Sequence, residues 1–139
     1  FKIAVEELKE NTAGMAWKNA IEKTNQIKAN VYSEENMSEW LSELENYAIE
    51  SVFNRAEGND FSLVKYSYED DEEKELMIPD PYSEIYIYYL AAKIDYWNKE
   101  LDSYNNNMSM YNASYSSFAA KYRREHMPKQ TKRPPVFLH

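Results

Sequence analysis

Apolar residues recur at helical spacing in four stretches of the chain. Trp17, Ala20, Ile21, Thr24 and Ile27 lie three or four apart, which places them on one face of a helix ending near Asn30. Ser33 is a suitable N-cap for a second helix, with Glu34 and Glu35 at the positive end of its dipole. The stripe of that helix is Met37, Trp40, Leu41, Leu44, Tyr47, Ala48, Val52 and Phe53, with Gly58 as a left-handed stop and Val31 as a staple before the cap. Phe61, Leu63, Tyr66 and Tyr68 alternate weakly, which leaves room for a short β-hairpin between helices two and three.

Pro79-Asp80-Pro81 predicts the entry to helix three, with Asp80 as N-cap and Pro81 in the first turn. From Tyr82 to Trp97 only Ser83, Glu84, Lys93 and Asp95 interrupt an apolar or aromatic run, so this helix is apolar almost all round. One small domain has few elements with which to cover such a helix, and part of it is expected to meet another subunit. The fourth helix follows from Leu101, Tyr104, Met108, Tyr111, Tyr115, Phe118 and Tyr122 and ends before Pro128. Residues 99–103 hold neither glycine nor proline. A turn is favoured there, because one unbroken helix of about 45 residues would span roughly 65 Å. The expected fold is all-α: about four helices ending in a long helical hairpin.

Three segments are distinguished. Residues 1–14 read as a vector leader or a frayed helix ahead of Met15, residues 15–128 as the helical domain, and residues 129–139 as an extended basic tail containing Pro134-Pro135. The acidic run at 69–75 lacks the glycine turn and ligand alternation of a calcium loop and reads as a solvated tip.

Charge and composition narrow the function. The net charge is -8, yet Lys121, Arg123, Arg124, Lys129, Lys132 and Arg133 fall together near the end, leaving about -13 on residues 1–120. Such a body repels phosphate, which opposes general binding to nucleic acid. The absence of cysteine excludes disulfides and thiolate chemistry, and no apolar run is long enough for a membrane span. His126 and His139 have no partners at metal-ligand spacing, and no serine sits in a nucleophile elbow. No catalytic, metal or cofactor residue is therefore nominated. The thirteen tyrosines have few basic neighbours between Tyr82 and Tyr115, which favours packing and interface roles over base stacking. Asn98, Asn105, Asn106, Asn107 and Asn112 are poor helix formers and are expected to bond neighbouring chains or helix ends. The residues nominated for contacts between subunits are Tyr82, Tyr86, Tyr89, Trp97, Tyr104, Tyr111, Lys129, Lys132, Arg133 and Phe137.

Asp80-Pro81-Tyr82-Ser83-Glu84-Ile85-Tyr86, the run Tyr89–Tyr96, Tyr104-Asn105-Asn106, then Tyr115, Phe118, Tyr122 and Arg124-Glu125-His126-Met127-Pro128 resemble short proteins from structural gene clusters of phages and prophages of Gram-positive bacteria. Tyr32-Ser33 and Trp40–Glu45 extend the resemblance over most of residues 17–128. Those proteins are similar to head-tail connector, or adaptor, subunits. The resemblance implies a small helical protein in a ring beneath the portal, with itself, portal and tail proteins as partners and DNA only as passing cargo through its channel. Its expected place is the virion neck, and the host cytoplasm during assembly. The competing expectation is an acidic helical binding module that regulates a partner or mimics DNA.

Overall fold

The computed structural model describes residues 15–69 and 74–129. Four helices account for most of them: α1 (Trp17–Ile27), α2 (Glu34–Ser51), α3 (Glu84–Asn98) and α4 (Leu101–Glu125), with a 3-10 turn at Phe53–Arg55. The all-α expectation holds. α1 and α3 run towards the turn at Lys99, and α2 and α4 run away from it. Lys28 at the end of α1 reaches Glu100, Tyr32 ahead of α2 reaches Asn98, and Phe53 after α2 packs on Phe118 and Tyr122 of α4. α3 packs against all three other helices. Its nearly continuous apolar sequence is therefore mostly satisfied within one chain: Ile85, Tyr86, Leu90, Ala91, Ala92 and Ile94 are buried.

The local signals explain most of the boundaries. α1 buries Trp17, Ala20, Ile21 and Thr24, and the Thr24 hydroxyl donates to the Ala20 carbonyl (2.8 Å), which lets a polar residue sit on the apolar stripe. Ser33 caps α2 by accepting from the Asn36 N–H at 3.1 Å. α2 ends at Ser51, earlier than its stripe suggests, and Gly58 (φ +86°) serves the following turn instead of closing the helix. Val31 is 92% exposed and makes no staple. Tyr47 is likewise exposed, and the stripe instead includes Glu45 and Ile49. α3 starts at Glu84, three residues after the proline expected to open it; a cis Asp80–Pro81 peptide and a Ser83 hydroxyl donating to Asp80 shape the approach.

The segment after α2 corrects the hairpin expectation. Among the described residues it is extended but pairs with no second strand, and α2 with its following turn supplies the partners through side chains. Asn46 accepts from the Val64 N–H (2.7 Å) and donates to the Val64 carbonyl (2.9 Å). Asn54 does the same for Phe61, at 2.8 and 2.9 Å. Ser42 accepts from the Tyr66 N–H and Glu35 from the Tyr68 N–H. Between Ser42 and Asn46 the spacing matches that of Tyr66 and Val64, because four helical residues rise about 6 Å, close to the roughly 6.6 Å of two extended residues. The acidic tip expected at 69–75 lies largely outside the described residues.

The α3–α4 turn exists as expected, without a glycine. Lys99 adopts the left-handed conformation (φ 60°, ψ 33°) and its N–H returns to the Asp95 and Tyr96 carbonyls. A non-glycine residue there costs on the order of 1 kcal/mol, and Lys28 offsets this by gripping the corner. Its ammonium pairs with buried Asp95 and bonds Glu100 (3.2 Å) and Ser103 (3.3 Å), while Asn107 donates to Asp95 (2.8 Å). Burial alone would push the Asp95 carboxyl up, but Lys28, Ser103 and Asn107 hold it below its ordinary range. No glycine or proline marks this arrangement because it is made by side chains distant in sequence.

Glu45 is the second buried acid. It accepts from the Tyr86 hydroxyl (2.6 Å), the Tyr66 hydroxyl (2.9 Å) and the Met77 N–H (3.0 Å), and the Tyr86 oxygen in turn accepts from the Ile78 N–H (2.8 Å). Burial pushes this carboxyl up, opposed by those three bonds. Replacing Glu45 with Leu would leave three donors without their acceptor. We expect a loss of at least about 3 kcal/mol in urea unfolding, with Glu45→Gln, which keeps an acceptor, costing clearly less.

Candidate functional site

Among the described residues, His126 and several of the serines and asparagines are engaged in packing or internal hydrogen bonds. No cluster of three or more potential metal ligands occurs among the described residues. The His126 ring stacks on Tyr122 with centroids 3.8 Å apart, and its Nδ1 lies 2.9 Å from the Tyr122 carbonyl. Ser38 and Ser42 each donate to the carbonyl four residues back. Two of the nominated asparagines bond within the chain, Asn98 accepting from the Tyr32 hydroxyl and Asn107 donating to Asp95.

The tyrosines divide between core and surface. On α4 the expected seam forms an aromatic row in which Tyr111, Tyr115, Phe118 and Tyr122 follow one another at centroid separations of 5.7, 6.3 and 6.0 Å. Tyr89 of α3 meets Tyr111 at 5.4 Å, and Tyr47 of α2 meets Tyr115 at 5.5 Å. Each such pair adds about 0.5–1.5 kcal/mol beyond the area it covers. Leu101 leaves the seam and is exposed.

Of the residues nominated for subunit contacts, Tyr86 is fully buried and bound to Glu45, and Tyr111 is buried between Tyr89 and Tyr115. Neither has surface to offer a partner: the helix that carries Tyr86 is covered by its own chain, and Tyr111 lies inside the α3–α4 hairpin. Tyr82 is half-buried against Phe118 near the far end of α4, and exposed Lys129 donates its N–H to the Arg55 carbonyl (2.9 Å). Lys132, Arg133 and Phe137 lie outside the described residues.

Tyr89, Trp97 and Tyr104 are brought together. With Lys93, Tyr96 and Met108 they line a surface groove of about 410 Å³ between α3 and α4. Lys93 is 3.6 Å from Glu43 and lies over the Tyr89 ring, so its charge is met inside the site. Beyond this groove, Tyr96 (55% exposed), Trp97 (56%) and Leu101 (67%) share the Lys99 end of the molecule with Ile27 (68%) and Val31, which flank Lys28 and precede Tyr32. Sequence reasoning passed over Ile27 and Val31 as helix and staple residues. Met108 and Leu101 were read as seam. The adjacent Tyr96-Trp97 pair, which cannot both face inward from one helix turn, was the available signal for an exposed aromatic corner.

Burial raises the phenols of Tyr66, Tyr86, Tyr89 and Tyr115 well above their ordinary value and pushes Tyr111 up to about 12. The fold therefore favours their neutral form. Their contribution is complete below the ordinary phenol value of about 10 and is lost as pH rises through the folded values. Ultraviolet absorbance should show the phenolate signal of these five appearing only together with loss of helical circular dichroism.

No protein-family model, curated protein or solved structure matches the chain.

Proposed function

We propose that the chain is a non-enzymatic structural subunit that assembles with copies of itself, and that it serves as a head-tail connector ring component joining portal to tail in a bacteriophage or prophage particle. The observation that carries assembly is the cluster of large apolar side chains exposed at the Lys99 end: Ile27, Val31, Tyr96, Trp97 and Leu101. Scattered exposed apolar residues need no explanation, but a concentration at one end beside an aromatic groove favours an interface. Covering one such side chain is worth about 1.5–3 kcal/mol.

The connector role rests on the resemblance of residues 17–128 to phage neck proteins. The charge distribution suits it. An acidic body lets DNA pass along a channel wall without adhering, and the basic residues gather at the opposite end, where Arg55, Arg123, Arg124 and Lys129 are exposed. No described helix is long and apolar enough to cross a membrane. The buried acids Glu45 and Asp95 act as internal fastenings in this reading, and no reaction is assigned to them.

Light scattering coupled to size exclusion should give a discrete mass of several subunits that rises to a plateau with concentration. Trp97→Asp, at an exposed position, should reduce that mass to one subunit while leaving the thermal melt unchanged. A species of one subunit at every concentration that also binds a DNA-binding protein in a salt-sensitive manner would replace this reading with the acidic binding module.

A further inference from the structure

We infer that the α3–α4 groove is the receptor for the C-terminal tail of a second copy of this chain, with Val136, Phe137 and Leu138 as the inserted residues. This rests on the assembly reading above and assigns its contact. The groove presents Tyr89, Tyr96, Trp97 and Tyr104 to an occupant. The tail reads Lys132-Arg133-Pro134-Pro135-Val136-Phe137-Leu138. Two prolines favour the extended left-handed conformation, which loses little entropy on docking, and aromatic-lined grooves are the usual receptors for it. Charge is matched as well. Exposed Glu43 lies 3.6 Å from the groove residue Lys93, exposed Glu100 and Asp102 flank Leu101 at the same end of the molecule, and Lys132 and Arg133 immediately precede the prolines.

Reach decides whose tail it is. The tail departs from a fixed point: the Glu57 N–H donates to the Met127 carbonyl (2.7 Å), the Lys129 N–H donates to the Arg55 carbonyl, and Ala56 bridges Pro128. That point lies at the Glu125 end of α4, whereas the groove lies at the Leu101 end. From Glu125 back along α4 the helix rises about 25 Å to Met108, the nearer lining residue of that helix, and about 31 Å to Tyr104. Phe137 is eight residues beyond Lys129, a distance of at most about 29 Å when fully stretched and about 25 Å in the proline-rich conformation. A path over the convex helix surface is longer than the straight rise, so the chain's own Phe137 comes at most to the Met108 edge and falls short of the Tyr104 end of the groove, where Trp97 lies. A tail from a neighbour has no such restriction. Because donor end and receptor end are different surfaces, the contact is head-to-tail, the type that closes into rings when the rotation permits.

The test uses a fluorescently labelled peptide of residues 129–139 and the full chain carrying Phe137→Ala, whose own tail no longer competes. Anisotropy should show saturable binding, weakened at least tenfold by Trp97→Ala in the protein or by Phe137→Ala in the peptide. Absence of saturable binding, or binding indifferent to both changes, overturns the docking. Light scattering then separates this contact from assembly itself. Full chains bearing Trp97→Ala and Phe137→Ala should each run as one subunit and, mixed, form a pair and nothing larger, since each retains one working half. Large oligomers persisting in Phe137→Ala would remove the tail from the interface and leave the assembly reading standing.

Discussion

The carboxyl of Glu45 is the point on which the fold turns. It is fully buried on α2, and its three donors come from three other parts of the chain: the extended segment at Tyr66, the approach to α3 at Met77, and α3 itself at Tyr86. An acid without those donors would be expensive in such a place, and the donors without an acid would be nearly as expensive. The cluster therefore specifies one arrangement of elements that apolar contact alone would leave loosely defined. Asp95 does comparable work at the other end of α3, where Lys28 provides a full charge. The two acids respond in opposite senses for that reason, Glu45 being held up by burial and Asp95 held down by its cation.

Helical periodicity made α1, the body of α2 and the α4 seam legible in the sequence, and Ser33 fixed the start of α2 through a bond that a serine ahead of two acids advertises. The extended segment was less legible. Its partners are Asn46, Asn54, Ser42 and Glu35, which look like ordinary polar residues on a helix until their distance from Val64, Phe61, Tyr66 and Tyr68 is known. The same limit affected the candidate interface. Apolar character along α3 signals burial without saying by what, and Tyr86 and Tyr111 proved to be enclosed by their own chain while Tyr96 and Trp97 were left outside. Glu45 was hidden for a related reason: an acid on the apolar stripe of a helix reveals nothing until two tyrosines from elsewhere are seen to meet it.

Exposed apolar side chains at one end and basic ones at the other give the molecule a direction. α4 connects the two ends as a single rigid rod of 25 residues, so the groove and the origin of the tail hold a constant separation whatever the rest of the surface does. The head-to-tail contact proposed above would need such a constant separation, because an error in it would accumulate from one copy to the next.

The bonding of residues 61–68 by α2 has a further meaning for how the chain stores its structural information. The hydrogen bonds that position Val64 and Phe61 are all made to their backbone, so the path at these two residues is written chiefly in the amides of Asn46 and Asn54, while the Phe61 ring packs on Phe53 and the Tyr66 hydroxyl binds Glu45. Exposed Leu63, between the two anchored residues, could therefore be exchanged to alter what this surface offers its surroundings without moving the main chain. The helix and its following turn hold the instructions for the loop's shape, and the letter at Leu63 remains free for recognition while Tyr66 stays committed to Glu45.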